Sequence, residues 1–392
     1  MVLKKREIEA NVYEKALERM NHLFDRFDTV AVSFSGGKDS TVVLNLALEV
    51  ARKRGRLPLN VFFFDEEAIH PETIEYVERV RQNPDIAFKW FCIPIQHRNA
   101  CSRKEPYWYP WERSKQHLWV RTPPENAIWE LPGFQPGMTM PECAHMVYNP
   151  AEHGMVVQVR GIRADESLRR YRSVAQKAQD NYITAPIEGY SSGASPIYDW
   201  TTPDVWTAPR LFGWDYNRTY DIFEQHGVPH SQQRVCPPYG EEPLAGFHWY
   251  KSCWPHLWDK MIGRVHGAAT AHRYNRTQLY SFGKLELPPG KTWKTWMDDI
   301  LALWGPKERK EILASIQQCV GEHAGKCSDP IPDEVAHMVT GISWKFLCMI
   351  AIRGDMKGRR ARTMNIAATN VRTKLGITLE QALEITQDEE RY

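Results

Sequence analysis

Ser35-Gly36-Gly37-Lys38-Asp39-Ser40 packs two glycines, a cation, a carboxylate and two serine hydroxyls into six consecutive residues. That set suits the binding of a phosphate, pyrophosphate or sulfate group. Glycine lets the backbone turn tightly, helix N-terminal amides point outward, and the helix dipole favours an anion. Lys38 adds a mobile charge, while Ser35 and Ser40 add donors. A turn that only joined two elements would need neither the lysine nor the aspartate. The spacing is not that of a Walker A loop, which places four residues between its first glycine and Gly-Lys.

A second group, Gly161-x-Arg163-x-x-Glu166-Ser167-x-Arg169-Arg170, concentrates guanidinium groups beside a glycine. Arginine forks match phosphate and sulfate oxygens, and Glu166 is placed to orient an arginine through an ion pair. The plainer alternative is a surface helix with ordinary i,i+3 and i,i+4 pairs. Among thiols, Cys236 and Cys253 are the candidates for chemistry. They share residues 226–256 with His226, His230, His248 and His256, but no recognised zinc spacing is completed there. Ordinary buried or loop residues are the expectation for most of that group.

The elements that must position these residues alternate strand and helix. The apolar run 28–34 predicts a buried strand carrying Ser33 into the glycine loop, and 41–54 predicts the helix after it. Residues 59–65 predict a second strand ending in Asp65, Glu66 and Glu67, with Pro71 opening a helix. Strands follow at 88–95, 155–159 and 194–200, the last leading into a helix capped at Thr201. An amphipathic helix is expected over 7–26. Such alternation gives an α/β fold, a parallel sheet with helices on both faces, and ligands at the carboxyl ends of strands. Residues 97–153 break the pattern with Pro, Trp, Tyr and Gly, and predict a long insertion serving as lid or substrate wall. The Pro288-Pro289-Gly290 run suggests a boundary, with a nucleotide-binding domain over 1–286 and a helical region over 287–392. Helices are expected there over 293–304, 306–323 and 333–352. Clustered tryptophans, 15 in all, either border a site or pin irregular segments to the body.

These motifs resemble, in type and order, those of phosphoadenosine phosphosulfate (PAPS) reductase-like proteins within the PP-loop, adenine-nucleotide α-hydrolase-like superfamily. The resemblance spans roughly residues 28–270. It rests on the 35–40 loop, Asp65 with Pro71-Glu72-Thr73, the 161–170 group, and Pro196 to Trp206. The stretches 215–221 and 233–240 resemble a bacterial and phage subgroup of predicted reductases or sulfurtransferases. The resemblance implies that Ser33, Ser35, Gly36, Gly37, Lys38, Asp39 and Ser40, with Asp65, Gly161, Arg163, Glu166, Ser167, Arg169 and Arg170, hold an adenine nucleotide. That nucleotide would be ATP, PAPS or adenosine phosphosulfate. Lys38, Asp39, Arg163 and Cys236 are the expected catalytic residues, with Mg2+ near Asp39 or Asp65. The assimilatory reductases end in a Glu-Cys-Gly-x-His-like tail whose cysteine attacks the sulfonate sulfur, whereas this sequence closes on Glu389-Glu390-Arg391-Tyr392. The paired cysteines of the iron–sulfur reductases are also missing, so no iron–sulfur cluster is expected.

Composition bounds the rest. Fifty basic against 48 acidic residues give a net charge of +2, which supplies no global field for nucleic acid or membrane binding. No apolar run approaches the roughly 20 residues of a membrane span. Eight cysteines without a Cys-x-x-Cys pair, and a charged start without an apolar core, suggest reduced thiols in the cytoplasm. The basic run 357–362 reads as a solvated surface, with nucleic acid the alternative. Three functions follow: sulfonucleotide reduction or sulfur transfer, slightly favoured; adenylylation of an acceptor with release of pyrophosphate; or nucleotide-dependent regulation with DNA or the ParB-like partner that the resemblance suggests. A homo-oligomer is expected.

Overall fold

The computed structural model describes residues 8–102, 104–174, 182–184, 191–274, 287–353 and 360–387. Two compact units divide the chain, Met1–His272 and Arg273–Tyr392. The expected boundary after 286 falls at the end of a stretch outside the described residues.

The first unit begins with α1 (Val12–Arg26), where Asn11 caps the helix and Glu14 returns a hydrogen bond to the cap. It starts later than expected. Then come β1 (Thr29–Ser33), α2 (Lys38–Lys53), β2 (Leu59–Phe64), α3 (Pro71–Arg81) and β3 (Ile86–Phe91). The insertion follows, with a small hairpin of β4 (His97–Arg98) and β5 (Tyr107–Trp108) and two short helices, α4 (Met140–Ala144) and α5 (Pro150–His153). β6 (Val156–Val159), α6 (Leu168–Val174), β7 (Ile183–Thr184), β8 (Ser192–Ala194), α7 (Thr202–Phe212) and α8 (Thr219–Gln225) follow, completing the sheet and continuing its helices. Two further helices, α9 (Phe247–Cys253) and α10 (Trp258–Arg264), come next.

Six strands lie in the order β3-β2-β1-β6-β8-β7. All neighbours are parallel except β7, which runs antiparallel to β8. Strand order therefore leaves β1 in two directions, toward β2 and toward β6, and the crevice at that switch point is where ligands of such sheets sit. Register shows why the strands read as continuous apolar runs. Val30 and Val32 of β1 face the cluster built by α1 and α2, while Ala31 joins Phe62, Phe64 and Val156 on the opposite face. Both faces are covered, so both sets of side chains must be apolar. The strand expected over 194–200 is shorter and earlier. Ser192–Ala194 pairs with β6, and residues 196–199 form turns. Pro196 has no N–H to give a ladder, which accounts for the early end.

In the second unit, Trp293–Ala302 and Pro306–Ala324 are helices close to their expected spans. The helix expected over 333–352 is instead Trp344–Arg353. Before it, Asp333 accepts the Trp293 amide at 3.1 Å, and Gly341 takes φ +73 where an added Cβ would meet Met364 O at 1.8 Å. Both fix the segment in a non-helical path. No helix among the described residues is long and apolar enough to cross a membrane.

Candidate functional site

The glycine loop links β1 to α2, and the helix starts three residues earlier than its apolar pattern suggests. Gly37 is the N-cap and Lys38 the first helical residue. Gly36 adopts φ +72, with Thr73 Cγ2 only 2.9 Å from where a Cβ would stand. Ser35 and Ser40 hydroxyls lie 3.0 Å apart, and Ser40 Oγ donates to Gly37 O at 2.9 Å. Thr41 Oγ1 gives a second bond to that carbonyl at 3.0 Å. These contacts set the turn from within. The amides of Asp39 and Ser40 keep no partner among the described residues, as the first turn of a helix requires of some donor groups.

Elements from far along the chain complete the loop. Asn217 Nδ2 donates to Gly36 O at 2.8 Å, and Lys38 N donates to Tyr220 Oη at 3.1 Å. Val235 Cγ2 lies 3.2 Å from the position a Gly37 Cβ would take, so the segment that carries Cys236 rests on the loop. Gly161, just after β6, packs against the same helical turn. A Cβ there would stand 2.6 Å from Asp39 C and 2.8 Å from Ser40 N.

Charge is concentrated on one carboxylate. Asp39 Oδ2 receives Lys38 Nζ at 2.9 Å, and Asp39 Oδ1 receives Arg163 Nε at 2.5 Å. Arg163 is buried, and its other contact is to Trp200 O at 3.4 Å. Glu166 pairs with Arg170 and accepts the Arg163 amide at 3.2 Å. Ser167 Oγ accepts the Arg170 amide at 3.2 Å. Burial pulls the Arg170 guanidinium below its ordinary value, with the Asp39 charge acting the other way. The side chain of Arg169 lies outside the described residues, as do those of the 357–362 basic run. The structure thus brings Ser35, Gly36, Gly37, Lys38, Asp39, Ser40, Gly161 and Arg163 together.

Asp65 stands elsewhere in function. Its Oδ2 accepts Trp90 Nε1 at 2.8 Å, and its Oδ1 accepts the Glu67 amide at 2.8 Å and pairs with Arg121. A fully buried carboxylate so engaged has no oxygen left for a nucleotide or magnesium, contrary to the expectation for Asp65. Glu67, at φ +61, is likewise committed: Arg264 reaches it at 2.6 and 2.8 Å, with Trp111 N at 2.8 Å and Val120 N at 3.1 Å. Between them Glu66 meets no lysine or arginine among the described residues. His97 Nδ1 at 3.4 Å is its partner, and a fifth of its side chain stays open. Burial first, and the Asp65 charge second, push the Glu66 carboxyl up to about 8. Burial holds His97 down to about 4, so the pair is neutral near pH 7. Sequence reasoning passed over Glu66. Its one signal was a position at the carboxyl end of β2.

Cys236 is half-buried, and burial pushes its thiol up to about 12. The Arg234 charge acts the other way and is outweighed by that burial. Tryptophans of the insertion pin it: Trp111 Nε1 donates to Asp65 O at 2.8 Å, and Trp111 and Trp129 both pack against Trp119. Among the described residues, the histidines and cysteines of 226–256 form no group of three close enough to share an ion. Among the described residues, His323, Cys327 and His337 do come together. Their ring nitrogens, however, are engaged by Thr340 Oγ1 at 2.8 Å, Asp329 O at 2.8 Å and the amides of Val339 and Thr340 at 3.2 and 3.3 Å. Cys327 Sγ lies 3.7 and 3.9 Å from the two nitrogens of His323, across the ring and along neither lone pair. This is a hydrogen-bonded knot that ties the irregular segment to its helix.

A glycine loop entering a helix at the switch point of a parallel sheet, faced by a Gly-x-Arg turn from the neighbouring strand, defines the class: a PP-loop protein with the adenine-nucleotide α-hydrolase-like fold. Residues 29–222 match the model of the phosphoadenosine phosphosulfate reductase domain, and residues 227–337 match a domain of unknown function, DUF3440. Over 304 residues the chain is 34% identical to the uncharacterized protein YbdN of Escherichia coli K12, covering 73% of each. The chain belongs to the phosphoadenosine phosphosulfate reductase domain family. Solved structures that it resembles include the PAPS reductase of Candida auris in a phosphate complex, at 13% identity and TM-score 0.32, covering 55% of this chain and 85% of that one. Another is the FMN adenylyltransferase of Candida glabrata, at 13% identity and TM-score 0.33, covering 56% of this chain and 62% of that one.

Proposed function

We propose that this protein is an enzyme acting on an adenine nucleotide whose phosphate or sulfate oxygens lie in the Ser35–Ser40 loop. The observation that carries this reading is the Lys38–Asp39–Arg163 cluster at the N-terminus of α2. Asp39 holds both cations. An arriving oxyanion takes Lys38 and Arg163 as charge-assisted donors, together with the amides of Asp39 and Ser40. Catalysis at such a site is positioning plus neutralisation of the departing charge. Magnesium bound to the phosphates would find one carboxylate here, Asp39, and would add Lewis-acid stabilisation.

Sulfonucleotide chemistry remains the first reading, because the segment that carries Cys236 rests on the loop. In it the Cys236 sulfur attacks the sulfonate sulfur, the S–O bond to the nucleotide breaks, and the nucleotide leaves with that electron pair. An external thiol then attacks the Cys236 sulfur, the S–S bond breaks with its electron pair leaving on sulfite, and a second thiol reduces the mixed disulfide left on Cys236. The second reading, adenylylation of an acceptor, is favoured by the state of that same thiol, which burial keeps protonated. We place the enzyme in the cytoplasm.

Calorimetric titration with ATP, adenosine phosphosulfate and PAPS, each with and without magnesium, separates the two. Tight PAPS binding with sulfite release lost in Cys236→Ser supports the first reading. Preference for magnesium-ATP, with Cys236→Ser unaffected, supports the second. Undiminished binding by Lys38→Ala removes the loop from both.

A further inference from the structure

Outside the glycine loop, a cavity of about 600 Å³ opens between α7 and α8. That volume is in the range of small-molecule sites, roughly 300–1,000 Å³. Three aromatic side chains line it, Trp206, Tyr216 and Tyr220, with Arg210 at the end of α7. Trp206 meets Tyr220 edge-on, with ring centroids 4.8 Å apart at 85°. Flat walls of this kind favour a flat ligand.

The charged groups of its wall differ in whether they are already paired. Two carboxylates line the cavity, and both are already engaged. Asp221 accepts the Tyr216 hydroxyl at 3.0 Å and faces Arg218 at 3.8 Å. Glu224 accepts Gln233 Nε2 at 2.6 Å and lies 2.8 Å from His230. Arg210 makes no ion pair among the described residues, and the Trp206 indole N–H makes no hydrogen bond among them. The cavity therefore offers aromatic faces, one uncommitted cation and one uncommitted donor.

We propose that this cavity is a second ligand site, for a planar aromatic molecule carrying an anionic group, and that Tyr220 couples it to the glycine loop. The Tyr220 ring forms part of the cavity wall, while its hydroxyl accepts the Lys38 amide at 3.1 Å. A ligand that shifts the ring moves the hydroxyl, and with it the first residue of α2. Coupling of this kind is reciprocal: an anion in the loop alters affinity in the cavity by the same factor. Two sources share the chemistry, a nucleoside monophosphate and a free aromatic acid.

Calorimetry of the full chain with AMP and, separately, with anthranilate tests the site. One equivalent of at least one probe is expected to bind. Binding should persist in Lys38→Ala and weaken at least tenfold in Arg210→Ala, whose exposed side chain can be removed without disturbing the core. AMP binding alone identifies a nucleotide site, and anthranilate binding identifies one for aromatic acids. Failure of both probes overturns the proposal. So does binding abolished by Lys38→Ala, which would show one site, or unchanged in Arg210→Ala. The glycine loop is tested separately with inorganic pyrophosphate, so either site can fail alone. Saturating the cavity with the bound probe should change pyrophosphate affinity in wild type and not in Tyr220→Phe. An equal effect in both proteins removes Tyr220 as the coupling element.

Discussion

Asp39 and Arg163 lie 124 residues apart and meet through a 2.5 Å contact between Oδ1 and Nε. The arginine side chain is 3% exposed, so the carboxylate is what permits a guanidinium at that depth. The pair joins the two motifs of the proposed phosphate site, one from each side of the switch point.

Removing one member strands the other. Asp39→Asn should destabilise the first unit by about 3–5 kcal/mol, the usual cost of an uncompensated buried charge. Inorganic pyrophosphate should restore part of that loss by giving Arg163 a new anion. Urea denaturation with and without pyrophosphate measures both, and a variant as stable as wild type in plain buffer contradicts the account.

Gly161 tolerates no side chain, because its Cβ would stand 2.6 Å from Asp39 C. Gly161→Ala must displace the first turn of α2, and should weaken pyrophosphate binding at least tenfold. Gly263→Ala, where nothing lies within 4 Å, is the matched control and should bind as wild type does. Equal affinities for the two variants would mean that this turn does not hold the anion.

Glu66 carries a pH signature. Its carboxyl is raised to about 8 in the folded protein and titrates near 4.3 when unfolded. Between these values the native state holds the proton and the unfolded state does not, so this group lowers stability as pH rises from about 4.3 to 8. Glu66→Gln should remove that slope and gain on wild type by an amount on the order of a few kcal/mol above pH 8. Denaturation curves for both proteins at pH 5, 7 and 9 decide the matter, since parallel stabilities across the series leave Glu66 unshifted.

Much of this was legible in the chain, and the reason is local. The glycine loop, β1, β2 and the cap at Thr201 are fixed by turn chemistry and apolar runs over a few residues. What escaped is set by tertiary partners. Three consecutive acids at 65–67 look alike in sequence, yet Arg121 and Arg264 neutralise the outer two while Glu66 meets only His97. Nothing in the spacing announces which arginine will arrive. The helix expected over 333–352 failed for the same reason: its early half is held by Trp293 and Met364, from distant helices.

Breaking the Glu67–Arg264 pair should loosen the insertion. Arg264→Met leaves a buried carboxylate without its cation and should cost about 3–5 kcal/mol. Hydrogen exchange at the Trp111 and Val120 amides, both donors to Glu67, should accelerate in step. Unchanged protection at those two amides would show that the segment is anchored by other contacts.

The cover of the glycine loop is delivered late. A ribosome making this protein must add 182 residues after Lys38 before Tyr220 exists to accept its amide, and Val235 comes later still. Until then a nascent chain carries the loop, and from residue 163 onward Arg163 as well, without that cover. Cutting at residue 222, where the reductase match ends, would freeze it near that stage: Tyr220 retained, but Val235 and Cys236 gone. The side chain that rests on Gly37 therefore comes from past the family boundary, in the stretch that matches the domain of unknown function.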